Sequence, residues 1–307
     1  MQKGIIRFGL LTAVCLLCAW GCAGREPREA QEETVIGIVT KSRNSEYWMS
    51  VCSGMEKAAQ ERGAEVVILS PDSETDKKVQ KRMIYDLLKM GVDALAVSPI
   101  DSYDNEDYCQ AAEEEGVSVY SYDTPVSDVD VPYIGIDNEK VGYELAKVLA
   151  EKLEHRGNIA VIAGSTAQAS HQARIDGFER YMKSEPDIQI EMVKSGYSNL
   201  RVSEQEMEEI REDYPDLDGI MTTSAVTALG IAEATSGTEI AIASFDVQED
   251  AIRAVENGSI TALAAQSGYD IGYAAVNYIM DDREGVKQEK EKILEARILT
   301  KENVGEY

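Results

Sequence analysis

Four polar residues stand where an apolar α/β core would not choose them. Asp123 closes the apolar run Val119–Tyr122, Asp246 closes Ile240–Phe245, and Gln266 closes Thr261–Ala265. Arg174 lies in a helical stretch, as Arg174-Ile175-Asp176-Gly177-Phe178. A carboxylate accepts from two adjacent hydroxyls, a guanidinium donates in a planar fork, and an amide does both. The aromatic pair Tyr47–Trp48 adds flat, rigid area in a chain with only 2 Trp and 3 Phe. Directional hydrogen bonds between apolar faces suit a neutral polyol. Each residue also has a plainer reading. The aspartates can be turn formers or N-caps, Arg174 a surface partner of Asp176 or Glu179, and Trp48 core beneath its loop.

Hydrolysis has little to stand on. The chain has 2 His, neither in a convincing Ser/His/Asp spacing, and His171 reads as exposed. No P-loop, no G-x-G-x-x-G after a strand and no G-x-S-x-G occurs, so no cofactor is implied. Cys52 and Cys109 lack C-x-x-C or His partner spacing and read as buried free thiols, with no metal site.

The elements that must position these residues alternate. Thr34–Val39 is an apolar run of strand length, followed by a polar turn at Lys41–Glu46 and a helical pattern through Arg62. Glu65–Leu69 is a strand, Ser73–Met90 a helix with Ser73 as N-cap, Asp93–Val97 a strand, Tyr103–Glu115 a helix, and Val117–Tyr122 a strand. Tyr133–Ile136 is a short strand, the helix from Asp137 to about Leu153 follows it, and the pattern then repeats in a second array. It runs through strands at Asn158–Ile162, Ile188–Lys194, Gly219–Thr222, Ile240–Phe245 and Thr261–Ala265, and ends in a single strand at Lys292–Leu299. The intervening helices are Ala167–Lys183, Ser203–Tyr214, Ala225–Ala234, Glu249–Asn257 and Tyr269–Asp281. Strict βα alternation with short loops predicts parallel sheets wrapped by helices, and so many strands suit two sheets. Ligands of such sheets sit outside the carboxyl ends of the strands.

Composition sets the surroundings. The 307 residues carry 30 Lys+Arg against 56 Asp+Glu, a net charge of −26, which disfavours nucleic acid and anionic membrane surfaces. Lys3 and Arg7 precede the apolar Phe8–Ala19, which has signal-peptide length. Residues 1–21 read as a signal peptide, and 22–33 as a tether. A small residue before Cys22 resembles the lipobox of bacterial lipoproteins, although Ala19 and Trp20 depart from it. Lipidation of Cys22, plain cleavage and an uncleaved anchor all place the folded part outside the cytoplasm.

From Thr34 to about Leu299 the chain resembles the type I periplasmic sugar-binding proteins, the ribose-binding-protein group serving ABC transporters. The resemblance rests on the order and spacing of VIGIVTKSRNSEYW, VDALAVSPID, VSVYSYDTP, YIGIDNEKVGYELA, RIDGF, DGIMTTSAVTALG, IAIASFD and ITALAAQSGYDIG. It implies an α/β fold of two Rossmann-like lobes joined by three crossings. One lobe would be 34–136 plus 267–291, the other 137–266 plus 292–307. By position, Asn44 or Ser45, with Tyr47 and Trp48, would form the first-lobe wall, and Asp123 would grip ring hydroxyls. Arg174, Asp246 and Gln266 would answer from the second lobe, with Asn199 or Tyr197 near its aromatic position. Ribose binders have Arg where Thr124 stands and Asn where Ser224 stands, so two contacts are changed. A pentose other than ribose, a hexose, an inositol or a sugar-like signal is implied instead.

The resemblance further implies a monomer that is not an enzyme, anchored to the membrane by lipid, closing on a sugar or polyol and delivering it to an ABC transporter permease. The alternative is a lipoprotein presenting its ligand to a membrane histidine kinase or chemoreceptor. A LacI-type regulator would need an N-terminal helix-turn-helix and a basic face, where this chain has a leader and an acidic body.

Overall fold

The first apolar run becomes a strand because branched side chains fill both of its faces. β1 is Val35–Val39, and its last four residues are buried. The computed structural model describes residues 33–43 and 45–307. Asn44, Cys22, the signal peptide and nearly all of the tether therefore lie outside the described residues. All elements below belong to one compact unit, Thr34–Tyr307.

After β1 come α1 (Glu46–Arg62), β2 (Glu65–Leu69), α2 (Lys77–Met90), β3 (Ala94–Val97), α3 (Glu106–Glu114), β4 (Ser118–Tyr122) and β5 (Tyr133–Ile136). Then follow α4 (Asn138–Lys152), β6 (Gly157–Ala163), α5 (Ala169–Met182), β7 (Ile188–Ser195), α6 (Leu200–Asp213), β8 (Gly219–Thr222) and α7 (Ala225–Ala234). The chain ends with β9 (Ala241–Phe245), α8 (Glu249–Asn257), β10 (Ala262–Ala265), α9 (Gly268–Arg283), β11 (Glu291–Leu294) and β12 (Arg297–Thr300). Two sheets result, ordered β11-β5-β4-β3-β1-β2 and β12-β10-β9-β8-β6-β7. Every pairing is parallel except β10 with β12. The strand order reverses beside β1 in one sheet and beside β6 in the other, which is where doubly wound sheets open a crevice.

Helices cover both faces of each sheet. α1 and α9 share a core with Ile36, Ile38 and Tyr122, while Ile84, Leu87 and Tyr108 fill the opposite face. In the second sheet α4 and α5 pack around Phe178 and Phe245, and α6, α7 and α8 cover the other side. The chain passes between sheets after β5, after β10, and between β11 and β12.

Two readings of the sequence need correction. The single last strand at Lys292–Leu299 is two strands: Glu291–Leu294 pairs with β5, and Arg297–Thr300 pairs antiparallel with β10. Apolar alternation runs on through the break, yet each sheet takes half of it. The last crossing thus falls at residues 295–296, and 292–294 belong to the first sheet. Ser73 is not an N-cap either. The helix begins four residues later, after Asp76; the Ser73 hydroxyl instead accepts from Thr75 N at 3.2 Å within the preceding turn, and Glu74 accepts from the Trp48 indole N–H at 3.0 Å.

Helix pairs cross through glycines. A Cβ on Gly142 of α4 would stand 2.2 Å from the carbonyl oxygen of Arg174 in α5, and one on Gly54 of α1 would stand 2.0 Å from that of Tyr269 in α9. The α4–α5 contact therefore sets the position of the Arg174 backbone. Gly142→Ala should lower stability by about 1–3 kcal/mol through overpacking, seen as a lower urea midpoint. Gly305→Ala, where the added carbon meets nothing within 4 Å, should leave that midpoint unchanged; equal effects would refute the close-crossing argument.

Candidate functional site

The carboxyl ends of the strands from both sheets meet around a cavity of about 470 Å³. Ser45, Tyr47, Trp48 and Asp123 line it from the first sheet, and Arg174, Asn199, Ser224, Asp246 and Gln266 from the second. Hydrogen bonds cross directly between the two halves. Ser102 N donates to Ala167 O at 2.9 Å, Ala169 N to Ser102 Oγ at 2.9 Å, and Glu249 N to Glu46 Oε2 at 3.0 Å. The arrangement is closed.

Both aspartates occupy left-handed backbone, φ 60° at Asp123 and 67° at Asp246. Asp tolerates that region better than most residues. At Asp123 the conformation is over-determined: Thr124 N reaches back to Tyr122 O at 2.6 Å, Asp123 N donates to Ile134 O at 2.8 Å, and Tyr133 Oη donates to Asp123 O at 3.0 Å. Tyr197 and Ser198, with φ 52° and 50°, also line the cavity. Strain of this kind persists where surrounding structure enforces it, and it gathers at functional sites.

Asp123 is 4% exposed. Its Oδ1 accepts from Tyr47 Oη at 2.6 Å, and its Oδ2 from Ser98 Oγ at 3.1 Å and Thr124 Oγ1 at 3.0 Å. The Lys41 ammonium lies 3.0 Å from Oδ2. Burial alone would raise the Asp123 carboxyl, but Lys41, the Tyr47 hydroxyl and Arg174 outweigh it and hold it down at about 2. At Asp246 the balance reverses. Burial raises its carboxyl, and Arg174 at 3.6 Å and Gln266 only partly offset that. Gln266 Nε2 donates to Asp246 Oδ1 at 2.6 Å, while Gln266 Oε1 is buried without a partner.

Arg174 is 3% exposed. Its Nε donates to Asn138 Oδ1 at 2.8 Å and its Nη1 to Thr223 O at 2.6 Å, with the guanidinium 4.4 Å above the Phe245 ring. These bonds fix the fork and exclude the surface pairing with Asp176 or Glu179. Trp48 is buried and meets Tyr47 and Tyr122 edge to face. It is thus core and cavity wall at once.

Some expected residues are placed differently. Thr124 does not line the cavity. The tight turn at Asp123 sends it beneath the floor, fully buried against Lys41 Nζ at 2.8 Å and Ser170 Oγ at 2.7 Å. Asn199 and Ser224 border the cavity but act as N-caps of α6 and α7, accepting from Val202 N and Thr227 N. His171 is buried rather than exposed, because α5 turns the face bearing Ser170, His171 and Arg174 inward. Burial, with Arg174 and Lys41 nearby, keeps its imidazole well below the usual range and therefore neutral. Its Nδ1 lies 2.5 Å from Thr223 Oγ1, which accepts from Gly164 N. The Thr223 proton is then best used on Nδ1, leaving Nε2 as the donor.

Lys41 was not anticipated. It is 3% exposed and bonds Gln168 Oε1 at 2.6 Å. In sequence it opens a polar turn, where a lysine ordinarily reaches solvent. The only local sign was its place two residues after a buried strand.

Stability should record the Asp123–Lys41 pair. A carboxylate held near 2 contributes roughly 2 kcal/mol that is present above the unfolded value of about 3.9 and is lost as pH falls through about 2. Asp123→Asn should therefore weaken the fold at pH 7, with the gap to wild type shrinking between pH 4 and pH 2 in urea unfolding. A gap independent of pH would contradict this.

Comparison with known proteins gives a consistent picture. The periplasmic binding protein domain matches residues 36–285. The ribose import binding protein of Bacillus subtilis (strain 168) is 28% identical over 300 residues, covering 94% of this chain and 96% of that protein. An ABC transporter periplasmic solute-binding protein from Actinobacillus succinogenes 130z, solved with bound D-allose, aligns with TM-score 0.83 at 21% identity, over 90% of this chain and all of that one. XylFII in its complex with LytSN aligns with TM-score 0.81 at 24% identity, over 88% of this chain and 98% of that one.

Proposed function

We propose, because this chain belongs to the periplasmic binding protein family, that it is an extracytoplasmic protein capturing a monosaccharide or sugar-like molecule between its lobes and delivering it to an ABC transporter permease. The observation that carries the ligand class is the unpartnered Gln266 Oε1, 1% exposed, beside the Asp246 carboxylate and at the cavity wall. Buried acceptors left empty are costly, and adjacent hydroxyl donors would fill these two. The neutral His171 and fixed Arg174 supply donors for ring or hydroxyl oxygens. Tyr47 and Trp48 offer faces to the C–H side of a ring. A polyol suits a cavity lined by two cations, Lys41 and Arg174, and by the carboxylates of Asp72, Glu74, Asp123 and Asp246.

The ligand would bridge both lobes only when they are shut, so its binding shifts the population toward the closed form. The protein would act as a monomer without turnover. In this reading the leader directs export and Cys22 carries the lipid anchor. A second reading, presentation of the bound sugar to a membrane histidine kinase or chemoreceptor, is favoured by the likeness to XylFII, which was solved together with another protein.

A thermal-shift screen against monosaccharides, polyols and nucleosides, followed by calorimetry, tests the proposal. With the best ligand, Asp246→Ala should lose ~1.5–3 kcal/mol, roughly ten- to over a hundredfold in Kd. Unchanged affinity would reject the site.

A further inference from the structure

One helix packed on the second sheet is completed from the first. α5 carries Ser170, His171 and Arg174 to the cavity, so its first turn lies at the edge of the site. The first backbone N–H groups of a helix have no partner within it and need a cap. Gln168 stands at the N-cap of α5, yet its side chain makes no cap bond. It turns across the cleft instead, where its Oε1 accepts from Lys41 Nζ at 2.6 Å. The cap comes from Ser102, in the loop between β3 and α3. Ser102 Oγ accepts from Ala169 N at 2.9 Å, and Ser102 N donates to Ala167 O at 2.9 Å. Beside them the hydroxyls of Thr124 and Ser170 meet at 2.7 Å. Ser102, Thr124, Gln168 and Ser170 are all buried, so these bonds between the two halves form a dry corner. Ser102 and Gln168 are not among the residues that line the cavity.

We propose that Ser102 is a positioning residue of the ligand site: it caps α5 from the opposite lobe, so the helix that carries His171 and Arg174 is finished only when the lobes close. This deepens the sugar-binding reading and rests on it. Opening would carry Ser102 away and leave Ala169 N to water. The bond therefore belongs to the closed form alone, and an interaction confined to one state shifts the population toward it. Ser102 favours closure before any ligand contact is made. The apparent affinity of every ligand rises with the fraction of protein already competent to hold it. Ser102 thus sets how tightly the site binds without choosing among sugars, and that choice stays with the groups that face the cavity.

Ser102→Ala tests this, because it removes the cap acceptor and keeps the backbone bond to Ala167. Small-angle X-ray scattering without ligand should give the variant a larger radius of gyration than the wild type, and a saturating sugar should bring the two together. Calorimetry with D-ribose, D-allose and D-arabinose should show each Kd raised by one common factor, about two- to thirtyfold, the range of a lost N-cap. Equal radii of gyration in the ligand-free proteins would overturn the proposal. So would factors that differ from sugar to sugar, since Ser102 would then act as a ligand contact. A variant that melts lower with radius and Kd unchanged would show a merely structural Ser102 and overturn it as well. If none of the three sugars binds the wild type, the sugar-binding reading fails for them, while scattering, which needs no ligand, still decides the role of the cap.

Discussion

Charge held out of water between two sheets must be answered by charge. Lys41, Asp123 and Arg174 are each almost wholly buried, and Asp246 is largely so. An isolated ion in such a place would neutralise itself or unfold the site. Two cations against two carboxylates satisfy the balance overall, but unevenly. Asp123 has a cation at 3.0 Å and three hydroxyls, whereas Asp246 has a guanidinium at 3.6 Å and one amide. That unevenness leaves Asp123 the more heavily bonded of the two carboxylates.

The fold supplies this arrangement by repetition. Both sheets adopt the same strand order, so both reverse at equivalent places and turn the ends of their strands to one gap. Lys41 follows β1, Asp123 follows β4, Asp246 follows β9 and Gln266 follows β10. The helices add precision. Gly142 and Gly177 let α4 and α5 approach until backbone meets backbone, which fixes the helix that carries Ser170, His171 and Arg174. A site on packed helices and strand ends is held more tightly than one on free loops.

Much of this was legible in the chain. Buried strands announce themselves as short branched runs, and polar residues closing them stand out, which is how Asp123, Asp246 and Gln266 were found. What stayed hidden was decided between elements far apart in sequence. Lys41 looks like a turn lysine until Asp123 and Gln168, 82 and 127 positions away, are brought to it. His171 looks like a surface histidine until α5 is rotated by its glycine contacts. Thr124 matches a contact position by alignment, yet the backbone turn at Asp123 sends its side chain below the floor. The last strand read as one because alternation cannot reveal that its two halves serve different sheets.

The unpartnered Gln266 oxygen also lies at a mechanically telling place. Gln266 follows β10, and the next residue, Ser267, caps α9, which packs against α1 of the other sheet. It therefore sits on one of the three crossings that must absorb any rotation of one lobe against the other. A ligand can drive closure only through interactions that differ between open and closed forms. A bond to an acceptor in the middle of a lobe changes little when lobes rotate, whereas the surroundings of an acceptor on a crossing are rebuilt. On the proposed capture mechanism, the unmet hydrogen bond of Gln266 would lie where satisfying it acts on closure.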